Sequence, residues 1–255
     1  SMRLLVLLLS LAMPVVSWFS QQAAFGPTNK EISDQYPTLV VAAGYAFAIW
    51  GLIFLWDVVF GVWQLSSRRG VPGSAVARIR LPAALGFALT ALWMPVFSQQ
   101  IYWLALLVIW SSLACLVLCA VRLSRDPTPE PGQTWFAWLP LSLHAGWLSL
   151  AAFLNTAQVI VAYDLLPTNN MLGWSIALLG MATVLLLALN QRMHGNVAYV
   201  AAAVWALVAV YMKQSDSTLA GSGTAAWLAL LIALLLVVQT AWLKWRPAAR
   251  LHQTR

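Results

Sequence analysis

The stretch "GYAFAIWGLIFLWDVVFG", residues 44–61, contains a single charged side chain in eighteen positions. An α-helix of about 20 apolar residues is long enough to cross the hydrocarbon core of a bilayer, so this stretch predicts a membrane span. Seven other apolar runs have a similar length and character. We therefore predict an all-α, polytopic membrane bundle of about eight helices, near residues 3–20, 43–66, 81–98, 101–122, 135–158, 171–190, 195–213 and 223–245.

The composition excludes a soluble protein of this size. Of the 255 residues, 62% are hydrophobic and 8% are charged, and the mean hydropathy is +0.79, whereas soluble domains carry about 25% charged residues. The net charge of +7 does not indicate a nucleic-acid partner, because the basic residues lie in short connections between apolar runs. The lipid bilayer is therefore the expected environment.

The distribution of basic residues predicts the orientation of the bundle. If both termini are cytoplasmic, twelve basic residues lie inside and only Lys30 and Lys213 lie outside, as the positive-inside rule requires. The twelve are Arg3, Arg68, Arg69, Arg78, Arg80, Arg122, Arg125, Arg192, Lys244, Arg246, Arg250 and Arg255. We expect a multi-pass protein of a bacterial inner membrane.

The first span has two interpretations. A basic residue followed by an apolar run, as at residues 3–20, is also typical of a cleaved signal peptide. Pro14, Trp18 and Phe19 make the end of this run a poor cleavage region, which favours a retained helix.

Helical spacing places aromatic, small and polar side chains together on one face of each of three spans. These faces carry Ala46, Trp50, Ile53 and Asp57 in the second span, Thr90, Trp93 and Phe97 in the third, and His144, Trp147, Ala151 and Asn155 in the fifth. Three such faces predict an apolar pocket, and the polar connection 21–42 is long enough to fold over its mouth. For any one tryptophan, core packing or anchoring at the membrane interface is the alternative.

Three motifs in this order carry a resemblance to a known family. They are "GYAFAIW" (44–50), "LTALWMPVF" (89–97) and "GWLSLAAFLN" (146–155). With them, the chain resembles the TspO/MBR family of tryptophan-rich sensory proteins over about residues 1–165. Thr90 stands where the family has Asn, and the prolines that precede the second-span Trp in the family are absent. We therefore predict a five-helix, TspO-like bundle with a ligand pocket at 1–165, and three additional spans with a basic cytoplasmic tail at 166–255.

The resemblance implies a non-enzymatic protein that binds a hydrophobic, porphyrin-like ligand for sensing or transport. It requires no cofactor, and the porphyrin would be the bound ligand. By the same resemblance, the pocket residues are Trp50, Thr90, Trp93, Trp147, Ala151 and Asn155. A homodimer is a further implication, and the last three spans would cover the bundle or form its dimer face.

Asp57 and His144 lie at a similar predicted depth in spans that are neighbours in the family, so we hypothesise that they pair. Ionisable groups inside a membrane are functional candidates, and a relay through this pair would instead make the chain a small-solute or proton-coupled transporter. That alternative needs a water route to the pair. An enzyme acting on the bound ligand is a third hypothesis, but the sequence offers no nucleophile–base set and no metal cluster.

Overall fold

The structure, a computed structural model, describes residues 1–246. In these residues the chain forms α1 (Met2–Gln21), α2 (Asn29–Gln35), α3 (Ile49–Trp63), α4 (Ala75–Ser98), α5 (Tyr102–Ser124), α6 (Leu139–Ala162), α7 (Leu172–Arg192), α8 (Val197–Ser215) and α9 (Ser222–Trp245). All but α2 belong to eight segments that are long and apolar enough to cross a membrane. The prediction of an all-α, polytopic bundle is confirmed. Arg250 and Arg255 of the predicted basic tail lie outside the described residues.

The third span begins at Ala75 rather than at residue 81. The hydroxyl of Ser74 accepts a hydrogen bond from the backbone N–H of Ala77 at 3.2 Å, which is the usual stabilisation of a helix start. Arg78 and Arg80 then occupy the first turns of α4. A boundary drawn from hydropathy alone begins too late here, because the helix extends past the apolar run into its charged flank.

The central helix of the bundle is α6. It packs against α3, α5, α7 and α8, and its Trp147 is the largest side chain that is fully buried. The backbones of α6 and α8 approach closely at Gly146, where a Cβ atom would overlap the carbonyl group of Tyr199. Ala202 and Ala203 of α8 are also buried, so small residues on both helices permit the contact.

One apolar core extends across residue 165. Ala145 of α6 and Ala206 of α8 belong to the same buried cluster. The indole N–H of Trp205 also donates to the carbonyl of Ala46 at 3.0 Å, in the 3₁₀ turn Gly44–Ala48 that precedes α3. The division of the chain at residue 165 stays a prediction, but the described parts of both segments share one core.

The connection between α1 and the second span, residues 21–42, contains a helix that hydropathy does not reveal. The Thr28 hydroxyl accepts from the Glu31 N–H at 3.3 Å, and the Glu31 carboxylate accepts from the Thr28 N–H at 2.7 Å. This reciprocal pair is a capping box, and it begins the seven-residue helix α2. Ile32 is fully buried and anchors α2 to the bundle. We call residues 21–42 the cover segment.

Three glutamines of the bundle bind the cover segment. Gln158 Nε2 donates to Ser33 Oγ at 2.7 Å, and Gln214 Nε2 donates to the carbonyl of Thr38 at 3.1 Å. Gln99 Nε2 donates to the backbone carbonyl of Phe25, nearer to α1. Because the three amides follow α4 or lie on α6 and α8, the cover segment is fixed to helices from both halves of the chain.

Candidate ligand-binding site

A cavity of about 700 Å³ lies beneath the cover segment. Its volume falls within the range of about 300–1,000 Å³ that is usual for small-molecule sites. Its apolar lining includes Phe47, Trp50, Phe54, Trp93 and Met94. Its polar lining includes Ser17 and Ser20 of α1, Lys30 and Asp34 of α2, and Lys213 of α8. The cavity is therefore amphipathic, with aromatic rings from the 3₁₀ turn before α3, from α3 and from α4, and with polar groups on α1, α2 and α8.

The two indoles of the lining are held by neighbouring groups. Trp50 stacks on Phe54 with ring centroids 5.0 Å apart, and Trp93 stacks on Phe97 with centroids 4.7 Å apart. The indole N–H of Trp93 also donates to Asn155 Oδ1 at 3.2 Å. Such supports position the rings before a ligand arrives, which lowers the entropic cost of binding.

Of the six residues that the resemblance implies for the pocket, Trp50 and Trp93 line this cavity. Trp147 lies behind it, 1% exposed, with its ring centroid 6.0 Å from that of Trp50. Asn155 reaches the site through its bond with Trp93, and half-buried Ala151 is absent from the cavity lining. These α6 residues do not line the cavity, because the aromatic rings of α3 and α4 lie nearer to it.

Thr90 also lies outside the cavity lining, in a buried chain of polar groups. Asp57 Oδ2 lies 2.7 Å from His144 Nδ1, and neither side chain is exposed. His144 Nε2 lies 3.2 Å from Thr90 Oγ1, which is 2.9 Å from Ser112 Oγ. The Ser112 hydroxyl donates to the carbonyl of Gly86 at 2.9 Å. The structure thus places Asp57 and His144 together and adds two hydroxyls to them.

The direction of these hydrogen bonds follows from the group at the end of the chain, the carbonyl of Gly86. A carbonyl oxygen only accepts, so Ser112 gives its proton to Gly86 and accepts from Thr90. Thr90 in turn accepts from His144, whose Nε2 therefore carries a proton. One proton then remains between His144 Nδ1 and Asp57 Oδ2. Wherever that proton lies, the pair has no net charge, which makes its burial in the membrane tolerable.

Trp50 lies between the cavity and this buried pair. Its ring lines the cavity, and its centroid is 5.6 Å from that of His144. Phe87 stacks on the imidazole at a centroid distance of 6.2 Å. The imidazole is therefore enclosed by aromatic rings, and Trp50 is the side chain through which a ligand in the cavity could affect it.

The two lysines of the cavity differ in their surroundings. Lys30 Nζ lies 2.7 Å from Asp34 Oδ2, and the hydrogen bond and charge of Asp34 raise the pKa of Lys30 above its usual value. Lys213 has no carboxylate within ion-pair distance among residues 1–246. The sequence identifies Lys213 as an orientation signal and does not assign it to the pocket, although the two basic residues predicted outside are the two that line the cavity.

A comparison with protein families gives one match. The family described as TSPO-like protein matches residues 3–242. The match extends past residue 165, where the resemblance of the motifs ended, and includes the last three spans. No curated protein and no solved structure matches the chain.

Proposed function

The chain belongs to the TSPO-like protein family, and from this premise we propose that it is a non-enzymatic membrane protein that binds a hydrophobic, porphyrin-like ligand for sensing or transport. The observation that carries the proposal is the aromatic cavity beneath the cover segment, with Trp50 and Trp93 in its lining. Indole faces stack on flat conjugated rings, and a cavity of about 700 Å³ leaves room for a large ring.

The polar part of the cavity supports an anionic edge on the ligand. Lys30 and Asp34 neutralise each other, so Lys213 leaves the lining with one net positive charge. The outer end of the bundle is otherwise poor in basic residues, which makes a lysine at this position informative. A porphyrin with carboxylates along one edge fits both features, with its ring among the aromatic side chains and its acids toward Lys213.

Trp50 supplies a route from ligand binding to a response. A ligand that changes the position of this ring also changes its contact with His144, and therefore the packing of α3 on α6. A ligand shifts a conformational equilibrium only by its difference in affinity for the two states. The proposed sensing step is thus a preference of the ligand for one packing of Trp50 over another.

The test is a titration of the purified protein with protoporphyrin, followed by porphyrin absorbance so that loss of a tryptophan does not alter the signal. Trp50→Leu and Trp93→Leu should each weaken binding about two- to tenfold, since an aromatic pair contributes about 0.5–1.5 kcal/mol. Trp227→Leu is the matched control, because Trp227 is 66% exposed on α9. Unsaturable uptake, or equal affinity in all four proteins, would mean partitioning into lipid and would contradict the proposal.

Lys213 provides a separate test of the ligand's chemistry. We expect Lys213→Gln to weaken binding of protoporphyrin several-fold and to leave binding of its uncharged dimethyl ester unchanged, because only the diacid presents carboxylates. Lys30→Gln should have a smaller effect on the diacid, since Asp34 already pairs with Lys30. An equal loss for the diacid and the ester in Lys213→Gln would show that the lysine acts through packing instead.

A second candidate function, proton-coupled transport, is supported by the single proton between Asp57 and His144. Proteoliposomes with an enclosed pH dye would measure proton flux, and Asp57→Asn would be expected to abolish it. Both side chains are without exposure in this structure, so transport requires a second conformation that admits water. No flux above that of empty liposomes would rule out this candidate.

A further inference from the structure

At the end of the bundle opposite the cavity, four arginines surround a hollow of about 390 Å³. Arg78 lies near the start of α4, Arg122 and Arg125 lie at the end of α5, and Arg192 ends α7. No carboxylate lines the hollow among the described residues. We call it the arginine hollow.

Two other arginines at this end, Arg3 and Arg80, have their charges stabilised by acceptors of the protein itself. Arg3 donates to the carbonyl groups of Ser66 and Arg69, at 2.5 and 3.0 Å. Arg80 donates to Gln64 Oε1 at 3.2 Å and also to the carbonyl of Arg69 at 3.0 Å. These guanidinium groups are therefore occupied by acceptors that belong to the fold.

The arginine hollow is different. Arg122 donates to the carbonyl of Arg78 at 2.8 Å. The guanidinium groups of Arg78, Arg125 and Arg192 have no hydrogen-bond acceptor within residues 1–246. A guanidinium carries five N–H donors arranged for planar recognition of an oxyanion, so most of the donors around the hollow are available.

Nearby carboxylates are used elsewhere. Asp126 Oδ2 accepts from Gln133 Nε2 at 2.8 Å, and Glu130 accepts from the Gly70 N–H at 2.9 Å. The partial negative charge at the C-terminal end of a helix stabilises the cations of Arg122 and Arg192, which lie in last turns. The partial positive charge at the start of α4 instead destabilises the cation of Arg78. Like charges around one hollow repel each other, and no carboxylate of the described residues lies within ion-pair distance of them.

We propose that the arginine hollow binds a phosphate group, such as that of an anionic phospholipid headgroup. Phosphate oxygens accept bidentate hydrogen bonds from guanidinium groups, and basic pockets between membrane helices at the surface bind lipid headgroups of this kind. The hollow opens at the ends of α5 and α7, where spans meet the headgroup layer. A soluble phosphate compound shares the same chemistry, and the two sources are separable by experiment.

The experiment compares two double variants with the same change of charge. Arg125→Gln/Arg192→Gln removes two guanidinium groups of the hollow, neither of which makes a hydrogen bond within the described chain. The control, Arg68→Gln/Lys244→Gln, removes two exposed charges at the same end but outside the hollow. The melting temperature of each protein in neutral detergent is measured with phosphatidylglycerol, with phosphatidylcholine and with inorganic phosphate.

Phosphatidylglycerol should raise the melting temperature of the unaltered protein and of the control by several degrees, and that of the hollow variant by less than half as much. If inorganic phosphate at the same concentration reproduces the rise, the source is soluble phosphate; if it does not, the source is lipid. Equal rises in both double variants, or no rise in the unaltered protein, would overturn the proposal. Porphyrin binding is not a readout here, so this test is independent of the cavity.

Discussion

At the scale of the residue, Asp57 illustrates how a carboxylate is accommodated inside an apolar bundle. Its Oδ2 atom faces His144, and the hydroxyls beyond the imidazole end on the carbonyl of Gly86. Its Oδ1 atom has no partner within the described residues. The carboxyl group is therefore stabilised from one side, and His144 is the group on which that stabilisation depends.

Removal of either partner should destabilise the protein. Breaking a buried pair leaves the other group without compensation and costs about 3–5 kcal/mol, so we expect Asp57→Leu and His144→Leu each to lower the melting temperature strongly. The loss of stability in the double variant should be smaller than the sum of the losses in the two single variants, because the double variant leaves neither group without its partner. Additive losses would show that the two side chains act independently. Ser111→Ala, an exposed change on α5, is the neutral control.

The sequence allows some of these residues to be predicted and not others. Asp57 and His144 could be matched because their depth follows from position along a span. The places of Trp50 and Trp93 followed from their motifs. The pocket roles of Trp147, Ala151 and Asn155 stay predictions: these residues lie outside the cavity lining, and helical periodicity indicates a face of α6 but not which neighbouring rings cover that face.

At the scale of the element, the contact of α6 with α8 depends on Gly146. A methyl group at this position overlaps the Tyr199 carbonyl, and forced overpacking of this kind costs about 1–3 kcal/mol. We therefore expect Gly146→Ala to lower the melting temperature.

Gly180 of α7 provides the matched control. A methyl group there meets no atom within 4 Å, and alanine is favoured over glycine within a helix by about 0.5–1 kcal/mol. Gly180→Ala should leave the melting temperature unchanged or raise it. Equal effects of the two substitutions would contradict the close approach of α6 and α8.

The spans were predictable because the length and polarity of a run decide whether it can cross a bilayer. The helix α2 was not predicted, because seven residues around a single buried Ile32 produce no apolar run. Its capping box, Thr28 with Glu31, was the available signal. Short helices of this kind depend on caps and contacts, and so hydropathy does not detect them.

At the scale of the whole molecule, the charge distribution predicts which end faces the cytoplasm. The native Cys115 and Cys119 lie within α5, away from water-soluble reagents. We expect Asn169→Cys, in the exposed connection after α6, to react with a membrane-impermeant maleimide in intact cells. Ser67→Cys, in the connection after α3, should react only after permeabilisation. The reverse pattern would mean the opposite orientation.

The contribution of α8 to the cavity could not be derived from the sequence, because the groups that meet there are far apart along the chain. Gln214 and the Thr38 carbonyl that it binds are separated by 176 positions, and Lys213 lines a cavity whose aromatic residues lie between Phe47 and Trp93. A motif describes the spacing of residues that are close in the sequence, so it does not reveal contacts between distant segments. The packing of α8 on α6 brings Lys213 and Gln214 to the cover segment.

The attachment of the cover segment to α8 also orders events during synthesis. Gln214 of α8 binds the cover segment at the Thr38 carbonyl, and directly after the segment the N–H of Ala43 donates to the carbonyl of Ala209 at 2.9 Å. Because α8 is synthesised after the first five spans, the cavity lacks Lys213 and the Gln214 attachment until α8 is in place. The ligand binding that we propose therefore requires α8, and we expect a product truncated before α8 to bind the ligand more weakly than the full chain.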